Sequence, residues 1–331
     1  AGCAGFAAVC GSSMATASTM TSIAYPEMKR RNYEPRLALG AIASGGTLGI
    51  LIPPSNPMVI YAIFAEVSVG KLFISGVVPG ILLAFLFMAT IFLWTRVNRS
   101  AGPAGPGTTW IERITSLKDV WPVMILAAII LGGIWGGFIT AMEAAGIGAF
   151  AAFVIGLVSR KINLQNIASS LNATIRTTAT IFVILIGAMI FNYFIVLSGI
   201  PNQLAALIGG LALPPVAVLA CILVLYFFLG MLMDTMAMTV LTLPIFLPII
   251  SSGLHFDLIW FGIVFVIMTE MALITPPIGM NVFVISGMVE DVPMYTIFRG
   301  ISPFLAAMIV CLVLVIAFPQ IALFLSQAMT K

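Results

Sequence analysis

The chain has 331 residues, of which 61% are hydrophobic and only 8% are charged. A soluble domain carries about 25% charged residues, so this composition excludes a soluble protein. The net charge of +3 does not indicate nucleic-acid binding, because the cations lie between apolar runs and form no basic stripe. The four cysteines are far apart in apolar stretches without metal-ligand spacing, which is typical of packing residues.

Long uncharged runs follow one another along the chain and predict an all-α polytopic membrane protein. A helix needs about 20 mainly apolar residues to cross the bilayer core. We place segments at about 37–65, 72–95, 121–138, 142–159, 178–198, 258–288 and 302–326.

The loop cations predict the orientation of these segments. With this placement twelve of the fourteen Lys and Arg residues fall on one face, and only Lys71 and Lys331 fall on the other. A cation excess marks the cytoplasmic side. The scheme holds only if 1–30 and 214–252 are re-entrant hairpins, the first entering from the cytoplasm and the second from outside.

Composition divides the chain into four predicted parts. Residues 1–97 hold a first repeat, with the end of hairpin one, a broken helix and the following span. Residues 98–119 form a Gly/Pro-rich cytoplasmic linker with a short surface helix, and a second surface helix is predicted over 160–178. Connecting or scaffold helices occupy 120–212, and a second repeat with hairpin two occupies 213–331. Because the first residues, AGCAGFAAVCGSS, are already apolar, we expect the chain to begin inside a membrane element of a longer protein.

An internal repeat is the most informative signal. Three residues of EVSVGKLFISGVVP recur with identical spacing in EDVPMYTIFRGISP, near the end of the chain: Glu66, Gly76 and Pro79 match Glu290, Gly300 and Pro303. Paired prolines interrupt an apolar run upstream of each copy, Pro53 with Pro54 and Pro276 with Pro277. By the predicted topology the copies have opposite orientation. An inverted repeat of hairpin plus broken helix is typical of secondary transporters with sites at the breaks.

The paired prolines predict ion and anion sites. A proline inside a helix removes a donor and frees carbonyl oxygens, which must be satisfied inside a membrane. Hard oxygen donors suit sodium, and the half-helix N-termini beside the breaks favour an anionic substrate. The alternative is that each pair only kinks a packed helix.

Three stretches resemble the large membrane subunit of tripartite ATP-independent periplasmic (TRAP) transporters, and the resemblance extends over essentially the whole chain. They are GSSMATASTMTSIAYPEMKRRNYEPRLALGAIASGGTLGILIPPSNPMVIYAIFAEVSVGKLFISGVVPG, GMLMDTMAMTVLTLPIFLPII and ALITPPIGMNVFVISGM. The resemblance implies that about the first hundred residues of such a subunit precede this chain.

The family's activity follows as an expectation. The resemblance implies a sodium-driven elevator of the bacterial inner membrane that imports organic acids, such as C4-dicarboxylates or sialic acid. It also implies two partners, a small four-helix membrane subunit and a periplasmic binding protein. Neither enzymatic activity nor a nucleotide is expected. A stand-alone sodium/divalent-anion symporter of the same hairpin architecture is the alternative, and a membrane enzyme or a channel fits the residues less well.

The resemblance also implies site residues. One sodium site joins the tip of hairpin one to the first broken helix, through Gly11, Ser12, Ser13, Gly45, Gly46 and Thr47. A second joins hairpin two to the second break, through Gly230, Asp234, Thr235, Thr275, Pro276 and Gly279. Substrate is expected between them, near Pro54, Ser55, Asn56, Met280 and Asn281.

Four further residues have competing interpretations. Asp234, an acid in a long uncharged stretch, is either a sodium ligand or a helix cap, and the two roles are compatible. Glu270 is either a coupling residue or a hydrogen-bonded structural carboxylate. Glu143 is interpreted as a charge at a helix N-terminus or as an interface group, and His255 as a solvated loop residue rather than a functional one.

Overall fold

The computed structural model describes residues 2–103, 121–160, 162–200, 203–204 and 213–329 of the chain. Within these ranges the chain is mostly α-helical and contains no β-strand, as expected for an all-α membrane protein. The first half holds α1 (Gly2–Cys10), α2 (Ser13–Arg30), α3 (Pro35–Leu51), α4 (Asn56–Ala65), α5 (Val69–Val97), α6 (Trp121–Trp135) and α7 (Ala141–Val158). The second half holds α8 (Leu164–Ser198), α9 (Pro215–Gly230), α10 (Thr235–Pro248) with a π-helical turn (Ile249–Gly253), α11 (Leu258–Leu273), α12 (Met280–Met288), α13 (Met294–Ala317) and α14 (Gln320–Gln327).

Five described helices are long and apolar enough to cross a membrane, which confirms a polytopic membrane protein. They are α5, α7, α8, α10 with its π-helical turn, and α13. The pair α3 and α4, bent by 40° at the break, is a sixth when it is counted as one span. The spans predicted over 72–95 and 142–159 agree closely with α5 and α7. Since α10 with its π-helical turn is itself long enough to cross, the re-entrant hairpin over 214–252 stays a prediction.

The core is built around α3 and α11. Every residue of α11 from 260 to 273 is buried, and so is nearly all of α3 from 37 to 51. Both helices are mainly apolar and have no continuous polar face, and a helix of that kind is stable only when neighbours surround it. The helices that lead into the two breaks are therefore held at the centre of the protein.

Both predicted helix breaks are present. The first lies between Leu51 and Asn56, and the second between Leu273 and Met280. In each break the peptide bond between the two prolines is cis.

The two hairpins pack on the broken helices in a crossed arrangement. The first arm of each hairpin packs on the first half of the broken helix in its own repeat, α1 on α3 and α9 on α11. The second arm also packs on the second half of the broken helix in the other repeat, α2 on α12 and α10 on α4, and α2 packs on α3 of its own repeat as well. Each hairpin therefore contacts both broken helices.

Charged groups from distant segments meet at the predicted cytoplasmic end. Lys29, at the end of α2, forms an ion pair with Asp291, and its hydrogen bond lowers the pKa of the Asp291 carboxyl. The Arg36 guanidinium donates to the Arg299 carbonyl oxygen at 3.4 Å and lies over the Trp94 ring, 5.3 Å from its centroid. These contacts bring cations of α2, α3 and α13 to one end of the helices, as the predicted topology requires.

Two predicted helix boundaries are wrong. The last span, predicted over 302–326, is α13, which ends at Ala317, followed by the separate helix α14. Pro319 has no backbone N–H group to donate, and inside a helix its ring would clash with the preceding turn. The helix α13 therefore ends before it. The surface helix predicted over 160–178 is the first part of the continuous helix α8, which begins after its cap Asn163. The surface helix predicted in the linker falls in 104–120, outside the described residues.

We predict that Gly300→Ala destabilises the protein. A methyl group at Gly300 would overlap the carbonyl oxygen of Arg36, where α13 crosses α3. Overpacking of this kind costs about 1–3 kcal/mol, because backbone must shift. The measurement is the thermal midpoint of the purified full-length protein.

The matched control is Gly287→Ala in α12, where an added methyl group meets no atom within 4 Å. We expect that variant to keep the wild-type midpoint. Equal midpoints for the two variants would contradict the close approach of α3 and α13.

Candidate ion and substrate site

The tip of hairpin one lies against the first helix break. Gly11 has a φ of +62°, and a Cβ atom there would lie 2.7 Å from the carbonyl oxygen of Pro54. Only glycine adopts this left-handed conformation routinely, and only glycine leaves room for that oxygen. Ser12 then caps α2, because its hydroxyl oxygen accepts from the Ala15 backbone N–H at 3.4 Å. The sequence thus fixes both the turn and the start of the second arm.

The same tip also approaches the predicted ligands on α3. A Cβ atom at Gly46 would lie 3.0 Å from the backbone carbonyl oxygen of Ser13, which is itself buried. Thr47 is buried and donates its hydroxyl to the Ser44 carbonyl oxygen at 2.6 Å. Gly45 instead faces the Cys3 side chain of α1. The structure thus brings Ser13 to Gly46, while Gly45 packs on the first arm.

Hairpin two has the same local design at its tip. Asp234 caps α10, because its carboxylate accepts from the Ala237 backbone N–H at 2.9 Å. The next residue, Thr235, is buried and donates its hydroxyl to the Glu270 carboxylate at 3.4 Å. Gly230 lies against the side chain of Ala272 on α11. The capping role predicted for Asp234 is confirmed, and it leaves further oxygen lone pairs for an ion.

The second break folds back on itself. Thr275 donates its hydroxyl to the Met271 carbonyl oxygen at 2.7 Å, and Gly279 lies close to the Thr275 carbonyl oxygen, with a φ of +57°. Pro276 is exposed. Among the described hydrogen bonds and glycine contacts, none joins these three residues to Asp234 or Thr235. Both sodium sites stay predictions.

A cavity of about 70 Å³ lies between the two hairpin tips. Its walls come from both hairpins, from the ends of both broken helices and from the start of α4. The lining residues are Gly11, Ser12, Ser13, Met14, Ile50, Asn56, Pro57, Asp234, Thr235, Met236 and Leu273.

Most of that lining comes in repeat-related pairs. Ser12, Ser13 and Met14 correspond in order to Asp234, Thr235 and Met236, and Ile50 corresponds to Leu273 by the offset that also relates the two proline pairs. The capping bonds of the tips correspond as well, since Ala15 follows Ser12 at the same spacing as Ala237 follows Asp234. The cavity therefore lies where the two repeats meet, with equivalent residues of each facing it.

The predicted substrate residues are divided among three places. Asn56 is exposed and lines the cavity between the tips. Pro54, Ser55 and Asn56 also line a larger cavity of about 540 Å³, formed with mostly apolar residues of α4, α5, α6 and α7. Asn281 is fully buried in the first turn of α12, and neither its side-chain oxygen nor its nitrogen has a partner among the described residues.

Neither Met280 nor Asn281 lines either of these two cavities. The structure thus brings three of the five predicted substrate residues together and leaves the pair on α12 apart from them. Ser55, like Asn281, has a buried side-chain oxygen without a described partner.

Comparison with known proteins decides the family. A family model described as the DctM component of the tripartite ATP-independent periplasmic transporter matches residues 1–321. The chain belongs to this family. It is the large membrane subunit, as the resemblance implied, and it is therefore a transporter permease rather than an enzyme.

Curated relatives agree over most of the permease. The C4-dicarboxylate TRAP transporter large permease protein of Pseudomonas aeruginosa is 38% identical over 96% of this chain and 74% of the relative. The sialic acid TRAP transporter large permease protein of Vibrio cholerae is 30% identical over 97% of this chain and 75% of the relative. The ectoine/5-hydroxyectoine TRAP transporter large permease protein of Ruegeria pomeroyi is 31% identical over 98% of this chain and 75% of the relative.

The donors available in the permease are hydroxyl, carboxylate and backbone oxygens. Within the described ranges no three His, Cys, Asp or Glu side chains group closely enough to hold a metal ion. That donor set suits a hard cation with oxygen ligands rather than a transition metal.

Sequence reasoning missed several lining residues of the permease, namely Met14, Ile50, Pro57, Met236 and Leu273. The signal was present, because SSMA at 12–15 and DTMA at 234–237 align when the two caps are paired. The contact of Glu270 with the second tip had no signal of that kind. Two minor interpretations agree with the structure: Glu143 completes a capping box with Thr140, and His255 is an exposed loop residue.

We predict that Gly11→Ala disables the permease. The new Cβ atom would displace the Pro54 carbonyl oxygen or the hairpin tip, and the left-handed backbone would be strained as well. A shift of about an ångström misplaces ligands, so we expect substrate uptake to fall by about tenfold or more. The measurement is uptake by the full-length transporter in proteoliposomes.

The control is Gly5→Ala in the same hairpin, where an added methyl group meets nothing within 4 Å. It should keep wild-type uptake. Wild-type uptake by the Gly11→Ala variant would show that the tip need not contact the break.

Proposed function

We propose that this permease imports an organic acid across the bacterial inner membrane by sodium symport. A periplasmic binding protein delivers the substrate, and the hairpins with their broken helices carry it in an elevator motion. The observation that carries the proposal is the cavity between the two hairpin tips, lined by equivalent residues of two repeats.

The chemistry of the tips supports sodium as the coupling ion. The first tip offers the Ser13 carbonyl oxygen beside Gly46, and the Pro54 carbonyl oxygen beside Gly11. The second tip offers the Asp234 carboxylate and the Thr235 hydroxyl. Sodium is a hard cation, and uncharged oxygens with at most one carboxylate balance its single charge. In this proposal the second sodium site also includes Gly230, Thr275, Pro276 and Gly279. These residues join the site only when the second break moves towards the tip of hairpin two.

Repeat symmetry supports an inverted architecture. The crossed packing of hairpins and half-helices relates the two repeats in pairs, α1 on α3 with α9 on α11, and α2 on α12 with α10 on α4. Inverted repeats with broken helices are the usual design of secondary transporters with a central site. In such a design each hairpin faces one side of the membrane.

The larger cavity supports an elevator. It separates α4 and α5, which belong to the first repeat, from α6 and α7, which belong to the predicted scaffold. Its walls are mostly apolar, with small residues such as Ala144, Ala145 and Gly148 on α7. A smooth apolar boundary of this kind has few directional bonds, so one body can slide past the other at low cost.

An organic acid is the substrate class that we propose. The relatives named above are transporters of C4-dicarboxylate, sialic acid and ectoine, and each of these compounds carries a carboxylate. The described cavity lining contains no Lys or Arg, so the start of α4, the hydroxyl groups and the bound ions must attract the anion. Asn56 at the start of α4 is the residue best placed to select it.

Exposed apolar surface supports the two partners. Most apolar side chains of α8 are exposed, including Phe182, Val183 and Tyr193, although the helix is long enough to cross a membrane. A surface of this kind contacts lipid or another membrane subunit. We propose the small four-helix subunit as its partner, with the periplasmic binding protein docking on the opposite, outer face of the scaffold and hairpin two.

The test is uptake of a candidate organic acid by the full-length permease and its small subunit in proteoliposomes. Four conditions are compared, with and without an inward sodium gradient and with and without the cognate binding protein. We expect uptake only when both are present. Uptake that ignores sodium would contradict the symport, and uptake with sodium but without binding protein would identify a stand-alone symporter.

Substitution of Asp234 separates its two roles. Asn caps a helix about as well as Asp, so Asp234→Asn should keep the thermal midpoint of the sodium-free protein. Asp234→Ala removes the cap and should lower the free energy of unfolding by about 1 kcal/mol. Because Asn removes the charge, we expect the sodium concentration for half-maximal uptake to rise by about tenfold or more. Unchanged sodium dependence in the Asn variant would reduce Asp234 to a cap.

A further inference from the structure

Glu270 is a carboxylate at the centre of the protein. It lies in α11, within the continuous buried stretch from 260 to 273, and is only 1% exposed. A charged side chain in a membrane interior is costly and must be compensated by a partner. Its surroundings therefore indicate what it binds.

Glu270 contacts the tips of both hairpins. The Thr235 hydroxyl donates to its Oε1 atom at 3.4 Å, and the Ser13 side chain of the other tip interacts with the same carboxylate. Ser13 and Thr235 are the equivalent residues of the two tips, since each directly follows the residue that caps the second arm. A single buried side chain therefore interacts with one residue of each hairpin tip, and both of those residues line the cavity between the tips.

The carboxylate lacks the compensation that its burial requires. Its Oε2 atom is buried and has no hydrogen-bond partner among the described residues. The ion pairs of the described part of the chain lie at Lys29, Arg30 and Arg31, and none of them involves Glu270. The nearest acid along the second tip, Asp234, is turned to the Ala237 N–H as a cap. Two neutral hydroxyl groups alone do not offset a full buried charge.

The repeat shows that packing does not demand a carboxylate here. Thr47 occupies the equivalent position in the first repeat, by the offset that relates the two proline pairs, and its hydroxyl is satisfied by the Ser44 carbonyl oxygen. Both positions are buried, at 1% exposure each. The fold therefore does not require a carboxylate at this position, and only the second repeat has one.

We propose that Glu270, with the hydroxyl groups of Ser13 and Thr235, binds a monovalent cation between the hairpin tips. This position is additional to the two sodium sites proposed above. It uses the hydroxyl group of Ser13 rather than its carbonyl oxygen, and it shares the Thr235 hydroxyl with the second site. The inference rests on that proposed function. Three oxygen ligands from three different elements surround it. A monovalent ion neutralises the single carboxylate, whereas a divalent ion would leave an uncompensated positive charge in a medium of low dielectric.

A cation at this position holds the tips of both hairpins against α11. Because the ligands come from α11, hairpin one and hairpin two, the ion is bound fully only when both tips are closed on α11. Loss of the ion leaves the Glu270 charge uncompensated, which favours separation of the tips and entry of water. The cation therefore links the conformations of the two hairpins.

The test is sodium binding to the purified full-length permease with its small subunit. Bound radioactive sodium per transporter and the half-saturating concentration are measured for the wild type, Glu270→Gln and Glu270→Asp. We expect Glu270→Gln to bind one sodium ion fewer. Glu270→Asp, which keeps the charge on a shorter side chain, should keep the ion count with binding weakened by about tenfold. Glu143→Gln is the matched control, since Glu143 is an exposed capping carboxylate.

Thermal midpoints with and without sodium, at constant ionic strength, distinguish a ligand from a structural residue. Glu270→Gln removes an uncompensated charge, so its midpoint without sodium should equal or exceed that of the wild type, while the rise caused by sodium shrinks. A midpoint well below the wild type without sodium would overturn the proposal in favour of a structural role.

Three further outcomes are decisive. An unchanged ion count in Glu270→Gln, with affinity within about twofold of the wild type, would overturn the cation site. The cation site would also be overturned if Glu270→Gln abolished the pH dependence of uptake without changing sodium binding. Glu270 would then bind a proton instead of sodium. A wild type that binds no sodium would defeat the proposed symport itself, which is a separate failure.

Discussion

Unsatisfied backbone groups cannot remain in the hydrocarbon of a membrane, and this constraint organises the permease. Two helix breaks and two hairpin tips interrupt the regular hydrogen bonding of their helices. The structure brings a tip and a break together where Gly11 meets the Pro54 carbonyl oxygen, and both arms of that hairpin pack on α3. Because α3 and α11 are buried on all sides, the helices that lead into the breaks are kept inside the protein.

The crossed packing of the hairpins follows from the same constraint. A tip must be held by both arms, and one arm of each hairpin packs on the half-helix of the other repeat. Movement of one tip therefore displaces contacts in both repeats. The equivalent lining residues, Ser13 with Thr235 and Met14 with Met236, face a cavity that neither repeat forms alone. A transporter gains from this arrangement, since the binding site responds to both hairpins together.

Sequence alone predicted the elements of the permease well and their contacts poorly. Paired prolines and small polar residues identify the breaks and tips, since few other residues fit there. The bounds of the last span were wrong because hydropathy does not register the break at Pro319. The contacts of Glu270 could not be predicted, since the other residues of α11 are nearly all apolar and their periodicity indicates no preferred face. Only the fold brings Ser13 and Thr235 to the same carboxylate.

The distribution of charge between the repeats has a consequence for the order of binding. The equivalents of Asp234 and Glu270 in the first repeat are the neutral residues Ser12 and Thr47. Both acids of the central region therefore come from the second repeat, and the described cavity lining contains no cation to offset Asp234. An organic anion that entered before sodium would meet negative charge in a medium of low dielectric, where repulsion is strong. Sodium must then bind first on the proposed mechanism, and the anion enters a cavity whose charge the ions have already reversed.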